Sequence, residues 1–95
     1  MNWKVEKLLK GEDFITSEKG NSMTPKIKSG QEHRLEPVDL NRLEVGDIVF
    51  CKVKGKYYTH LIKAINPDKG FLIGNNKGGI NGWTKLIYGK VTEIL

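Results

Sequence analysis

The feature that most limits the fold of this chain is a hairpin pattern in its middle. Residues 47–53 and 57–65 are two runs rich in β-branched and aromatic side chains. Lys54 and Gly55 lie between the runs and form a tight turn, the kind of connection that joins neighbouring antiparallel strands. The centre of the chain therefore predicts a β-hairpin.

Turn-forming residues divide the remaining sequence into further short strands. Runs with strand-like composition occur at 14–16, 34–38, 71–73 and 86–95. We predict a turn region over 20–30, a strong turn over 66–70 and a glycine- and asparagine-rich loop over 74–82. Gly89 is expected to break the last strand.

The beginning of the chain has a different pattern. Val5, Leu8 and Leu9 have the spacing of one helix face, and Gly11 is a natural stop, so residues 2–10 predict a short helix. With 95 residues the chain is long enough for one domain, 1–95, with a helix within 1–11 and a β core over 14–94. The predicted fold class is mainly β, with coiled or barrel-like strands and one short N-terminal helix.

Composition narrows the range of partners. The net charge is +5, but the basic residues are spread along the chain without a base-reading motif, so nucleic acid is not the predicted partner. The only cysteine, Cys51, lies in an apolar run and is expected to be a buried hydrophobe. His33 and His60 are the only histidines and form no metal-ligand pattern. We therefore predict no metal and no cofactor.

The sequence also bears on location. No apolar run reaches the length of about 18 residues that a membrane span needs. Lysines and Glu6 interrupt the apolar residues of the first ten positions, unlike a signal peptide. We expect a cytoplasmic protein without a transmembrane segment.

Ser22 is the candidate nucleophile. It lies in the segment Gly20-Asn21-Ser22-Met23-Thr24-Pro25, where glycine allows a close approach of backbone to a substrate and proline fixes the exit of the chain. A serine in such a segment can equally cap its own turn. A nucleophilic role requires a nearby base and donors for an oxyanion.

His60 is the candidate base, because imidazole accepts a proton near neutral pH. Strand alternation puts Tyr58, His60 and Ile62 on one face and Leu61 and Lys63 on the other. A histidine among aliphatic residues can also be a structural residue held by hydrogen bonds. The sequence alone leaves both roles open.

Four segments in order resemble the serine peptidase superfamily of signal peptidases and LexA-type self-cleaving proteins. Gly20–Pro25 is similar to its Gly-x-Ser-Met-x-Pro nucleophile motif, and Val45–Val49 to its Gly-Asp-Ile-Val strand start. His60-Leu61-Ile62 stands where the superfamily has its base. Gly74-Asn75-Asn76 resembles the Gly-Asp-Asn turn, with 88–91 similar to the closing Gly-Lys-Val strand.

The resemblance implies a LexA/signal-peptidase-like coiled β fold over residues 14–94. It implies that Ser22 attacks a peptide carbonyl, that His60 takes its proton as in the histidine-type members, and that the Ser22 N–H helps to hold the oxyanion. Gly20, Asn21 and Met23 would border the oxyanion and substrate groove. The partner would be a polypeptide substrate. Lys63 is the rival base, but the superfamily base aligns with His60.

The sequence departs from the superfamily pattern at the third catalytic position. Histidine-type members carry aspartates near the Gly-Asp-Asn turn, where this chain has Asn75 and Asn81. Either asparagine could orient His60, although a neutral amide stabilises an imidazolium less than a carboxylate does. We also expect no membrane anchor, no DNA-binding domain ahead of Ser22 and no self-cleavage, since no Ala-Gly pair is present.

Two further functions follow from the same residues. The domain could be a catalytically weak or inactive module that binds a peptide or protein partner, and, with weaker support, a basic β domain that binds nucleic acid. Asp47 is interpreted as a turn residue that accepts backbone hydrogen bonds. Trp83 lies beside the asparagine-rich loop, where it could line a pocket or pack at the rim.

Overall fold

The computed structural model describes residues 2–95 and confirms the mainly β prediction with one short N-terminal helix. A 3-10 turn at Leu40–Arg42 is the other helical element. The elements in chain order are α1 (Trp3–Leu9), β1 (Phe14–Thr16), β2 (His33–Pro37), β3 (Ile48–Val53), β4 (Lys56–Asn66), β5 (Gly70–Gly74), β6 (Ile80–Thr84) and β7 (Ile87–Ile94).

The strands form one antiparallel sheet in the order β1-β2-β7-β3-β4-β5-β6. The predicted central hairpin is β3–β4, with Val53 paired to Lys56 across the turn. The sheet coils, so that β6 at its edge returns to β3. This return is fixed by Thr84, whose Oγ1 donates to the carbonyl of Lys52 at 2.6 Å.

Side chains on the two faces of the coiled sheet form two hydrophobic clusters. Strand alternation divides neighbours between them, since Phe50 belongs to the first cluster and Val49 and Cys51 to the second. The first cluster packs beneath α1 and the β1–β2 loop; its buried members are Val5, Leu8, Met23, Ile27, Leu35, Phe50, Leu61 and Val91. The loop that carries Ser22 is therefore anchored in the core.

The helix α1 begins and ends as its sequence suggests. Asn2 is the N-cap, and its side chain accepts from the N–H of Lys4 at 2.8 Å. Val5 and Leu8 are buried against the sheet, while Leu9 is exposed. Gly11 follows the helix with a φ of 84°, which glycine adopts without strain.

The prediction of a loop over the whole of 74–82 is wrong at its second half, because β6 begins at Ile80. Asn81 and Gly82 have low strand propensity, which hides the strand in the sequence. The structure uses Gly82 because its missing side chain makes room: a Cβ there would lie 3.3 Å from Val53 Cγ1. Coiling of the sheet, and not local propensity, creates this strand.

The predicted break at Gly89 is also wrong, since β7 continues through it. Gly89 pairs with Pro37 on one side and Phe50 on the other. A Cβ at Gly89 would lie 2.9 Å from Leu8 Cδ1 and 2.9 Å from the carbonyl oxygen of Glu36. Glycine is present here because the helix packs directly on the strand backbone.

Replacing Gly89 with Ala should therefore destabilise the fold. Overpacking of this kind costs about 1–3 kcal/mol of unfolding free energy, measurable by urea denaturation. Combining Gly89→Ala with Leu8→Ala should cost less than the two single changes added together, because Leu8 is one of the two obstructing groups. An unchanged unfolding free energy for Gly89→Ala would contradict this close packing.

Candidate functional site

Ser22 lies in the loop of residues 17–32 that joins β1 to β2, called here the Ser22 loop. Met23 and Ile27 are buried in the first hydrophobic cluster and hold the middle of this loop against the sheet. The N–H of Ile27 donates to the carbonyl of Met23, and Thr24 donates to the carbonyl of Asn21 through both its N–H and its hydroxyl. The backbone around Ser22 is thus fixed by local bonds and by core packing.

The structure brings Ser22 and His60 together although 38 residues separate them. Ser22 Oγ and His60 Nε2 are 3.0 Å apart, a hydrogen-bond distance. His60 lies in β4 with only 8% of its surface exposed, and its ring stacks on that of Tyr58 at a centroid distance of 4.9 Å. This geometry meets the first requirement for a nucleophile and its base.

Asn81, on the missed strand β6, is the residue that orients His60. Its Oδ1 lies 2.6 Å from His60 Nδ1 and accepts the proton of that nitrogen. Because neutral imidazole carries one proton, a protonated Nδ1 leaves Nε2 as the acceptor that faces Ser22. The chain Asn81–His60–Ser22 therefore has the direction that proton abstraction from the serine requires.

Asn75 forms no hydrogen bond with His60, so of the two asparagines that could orient the imidazole only Asn81 is in position to do so. Its Oδ1 accepts from the backbone N–H groups of Lys77 and Gly79 at 2.8 Å each. The side chain thus closes the tight turn between β5 and β6. An asparagine used in this way has no free oxygen directed toward the imidazole.

Asn76 is a site residue for which sequence analysis gave no role. Its N–H donates to the carbonyl of Ser22 at 2.9 Å, and its Nδ2 donates to the carbonyl of Thr24, also at 2.9 Å. The β5–β6 turn is thereby joined to the Ser22 loop on both sides of Met23. The Gly-Asn-Asn motif is the sequence feature that could have indicated a role for Asn76. Its partners could not be predicted, because they are 52 and 54 positions away in sequence.

The residues predicted to border the groove have different positions. Gly20 lies in the cavity wall with a φ of 123°, a conformation suited to glycine, and its N–H donates to Ser29 Oγ. Met23 forms the buried floor. Asn21 is exposed, contributes its carbonyl to the local turn and does not line the cavity. Within residues 2–95 the N–H of Ser22 donates to no acceptor.

A cavity of about 320 Å³ opens beside the Ser22–His60 pair. Its walls include Lys19, Ser22, Met23, Lys28, Tyr58 and His60. Glu18 and buried His33 also line the cavity, with His33 Nε2 3.9 Å from the Glu18 carboxylate. Glu18 accepts from Lys4 Nζ at 3.3 Å and from the hydroxyl of Thr59.

The alternative reactive residues lie away from Ser22 or are held unreactive. Burial, with a smaller contribution from the charge of Glu18, raises the pKa of Cys51 to about 12, which leaves the thiol protonated. Lys63 occupies an irregularity in the β4–β5 pairing, and its side chain lies against Gly74 instead of the cavity. Asp47 accepts from the N–H of Glu44 at 2.9 Å and pairs with Lys90, as a turn residue does.

Trp83 lies on β6, outside the cavity that contains Ser22, with 36% of its surface exposed and the Lys69 ammonium over its ring. Across residues 2–95, no three His, Cys, Asp or Glu side chains converge as metal ligands would. No helix in the same residues has the length and apolar character to cross a membrane.

In comparisons with protein-family models, curated proteins and solved structures, nothing matches this chain.

Proposed function

We propose that this chain is a serine-peptidase-type domain in which Ser22 is the nucleophile and His60 the general base. The observation that carries the proposal is the continuous hydrogen-bonded series from Asn81 through His60 to Ser22, at 2.6 and 3.0 Å, beside an open cavity. With Nδ1 of His60 donating to Asn81, the series has the direction that acyl transfer requires.

The proposed reaction uses these groups in a fixed order. Ser22 Oγ attacks the carbonyl carbon of the scissile peptide bond while His60 Nε2 takes the hydroxyl proton. The negative charge that develops on the carbonyl oxygen is stabilised by the free N–H of Ser22. His60 then donates its proton to the leaving amine, and the same imidazole later activates the water that releases the acyl group from Ser22.

The motif resemblance supports the same proposal. The segments that resemble the signal peptidase and LexA-type superfamily are distant in sequence, yet Gly20–Pro25, His60 and Gly74–Asn76 meet around one cleft. Asn76 makes this link directly, through its two bonds to the Ser22 loop. We propose that the chain shares the ancestry and the chemistry of that superfamily.

A second function is favoured by one observation, the neutral amide of Asn81 where an acid would strengthen the base. A neutral partner keeps the tautomer of His60 but gives the imidazolium less stabilisation in the transition state. A domain with this arrangement could retain peptide binding while turning over slowly or not at all. The alternative is therefore a peptide- or protein-binding module with the same cleft.

Labelling with a fluorophosphonate separates the two functions. The probe should add covalently to Ser22 of the native protein, seen as a mass increase on the tryptic peptide that contains Ser22, because an activated serine displaces its leaving group. The Ser22→Ala variant is the matched control and should gain no mass. Absence of labelling at every pH between about 6 and 9 would favour the binding module.

A further inference from the structure

Charge is distributed unevenly between the parts of the chain that build the cleft and the rest. Residues 19–31, which surround Ser22, contain three lysines and no acidic residue. Residues 48–91, which carry His60 and Asn81, contain eight lysines and a single acid, Asp68. The remaining segments hold ten of the eleven acids. Apart from Glu18 and His33, the residues that line the cavity belong to these two basic segments.

Several of these lysines lie around the Ser22–His60 pair. Lys19 and Lys28 line the cavity itself. Lys77 lies in the β5–β6 turn next to Asn76, which binds the Ser22 carbonyl. Lys54 reaches β6 beside Asn81, with its Nζ 3.6 Å from the position a Cβ of Gly82 would occupy.

The positive charges of these four ammonium groups are not neutralised by neighbouring acids. None of them forms an ion pair with an acid of residues 2–95. Glu18, the acid in the cavity wall, is already engaged by Lys4 and Thr59. Clustered like charges in a cleft raise the local concentration of an oppositely charged ligand and select against ligands of the same sign.

We propose that the ligand of this cleft is an acidic polypeptide segment. This inference deepens the proposed function and rests on it, since it names the substrate class of the same site. Carboxylates on either side of the bound residue would pair with Lys19, Lys28 and Lys77, while the apolar floor formed by Met23 and Ile27 receives an aliphatic side chain.

The aromatic residues of the cavity favour a peptide over single-stranded nucleic acid. Binding of single strands uses open aromatic faces on which bases stack. Here the ring of Tyr57 is stacked on Phe50 at 5.6 Å and that of Tyr58 on His60 at 4.9 Å. Each of these rings has one face covered by another side chain of the same chain, which leaves less aromatic surface for a base.

Binding can be measured by fluorescence anisotropy with short labelled peptides of equal length, about ten residues. One contains glutamates among alanines and leucines, one has glutamine at the same positions and one has lysine. The glutamate peptide should bind the native chain about tenfold tighter than the glutamine peptide at low salt, and the difference should shrink as ionic strength rises. Equal or tighter binding of the glutamine or lysine peptide would overturn the proposal.

A pair of double variants localises the effect. Lys19→Glu with Lys28→Glu reverses two charges of the cavity and should weaken binding of the glutamate peptide about tenfold. Lys10→Glu with Lys85→Glu makes the same change in net charge at the C-cap of α1 and in a separate groove, and should weaken it less than about threefold. Equal weakening by both double variants would show that overall charge attracts the peptide, against the proposal.

Three outcomes separate this proposal from the other hypotheses. Tighter binding of a single-stranded oligonucleotide than of the glutamate peptide, lost in the cavity variant, would replace the peptide with nucleic acid. Selective binding of the glutamate peptide by a native protein that never labels at Ser22 would support the ligand class and remove the peptidase. Labelling at Ser22 without preference for the glutamate peptide would support the peptidase and remove the proposed ligand class.

Discussion

Replacing His60 with Gln is expected to slow fluorophosphonate labelling of Ser22 by about a thousandfold, within the range of 10²–10⁴ that a positioned base supplies. Gln can occupy part of the imidazole volume but cannot take the proton that Ser22 must lose. The rate constant for labelling, measured by intact-protein mass, tests this expectation.

Lys63 provides the matched control for this prediction. It is the other candidate base of the same strand, and Lys63→Met should change the labelling rate by less than about threefold, because its side chain lies against Gly74 and not at Ser22. Urea denaturation of both variants separates loss of the base from loss of the fold. If Lys63→Met abolished labelling and His60→Gln did not, the base would have been assigned to the wrong residue.

Sequence reasoning identifies the parts of this molecule that local chemistry determines. The central hairpin, α1 and the turns depend on patterns within about ten residues, where propensity and turn chemistry are decisive. Ser22 and His60 were selected in the same way, from a turn motif and a strand position. Their 3.0 Å separation depends on the sheet, and in the sequence only the resemblance to a known family hinted at it.

The remaining features depend on contacts between distant segments. Gly89 looks like a strand breaker until Leu8 of α1 is packed over it. Asn81 lies on β6, a strand that forms because the sheet coils back on β3. The strand propensity of its residues therefore does not predict it. Asn75, Asn76 and Asn81 are chemically identical, and their backbone surroundings alone assign one to a turn, one to the Ser22 loop and one to His60.

Asn81 also gives the most informative gain-of-function test. Asn81→Asp should raise the labelling rate of Ser22 by about 10–100-fold, because a carboxylate at the Oδ1 position keeps the tautomer of His60 and stabilises the imidazolium that forms as the serine loses its proton. Introducing a charge into a half-buried position costs stability when it lacks compensation. Here the Lys54 ammonium lies beside the same strand and offsets part of that cost.

Asn75→Asp is the control that makes the gain interpretable. It introduces the same charge six residues earlier, and an aspartate can still accept from the N–H groups of Lys77 and Gly79. This variant should label within about twofold of the native rate, because its carboxylate is bonded into the turn and does not contact His60. Equal gains in labelling rate for both variants would mean that any added negative charge near the site accelerates the reaction of Ser22. A gain confined to Asn81→Asp would mean that the neutral amide, and not the geometry of the site, limits the native catalyst.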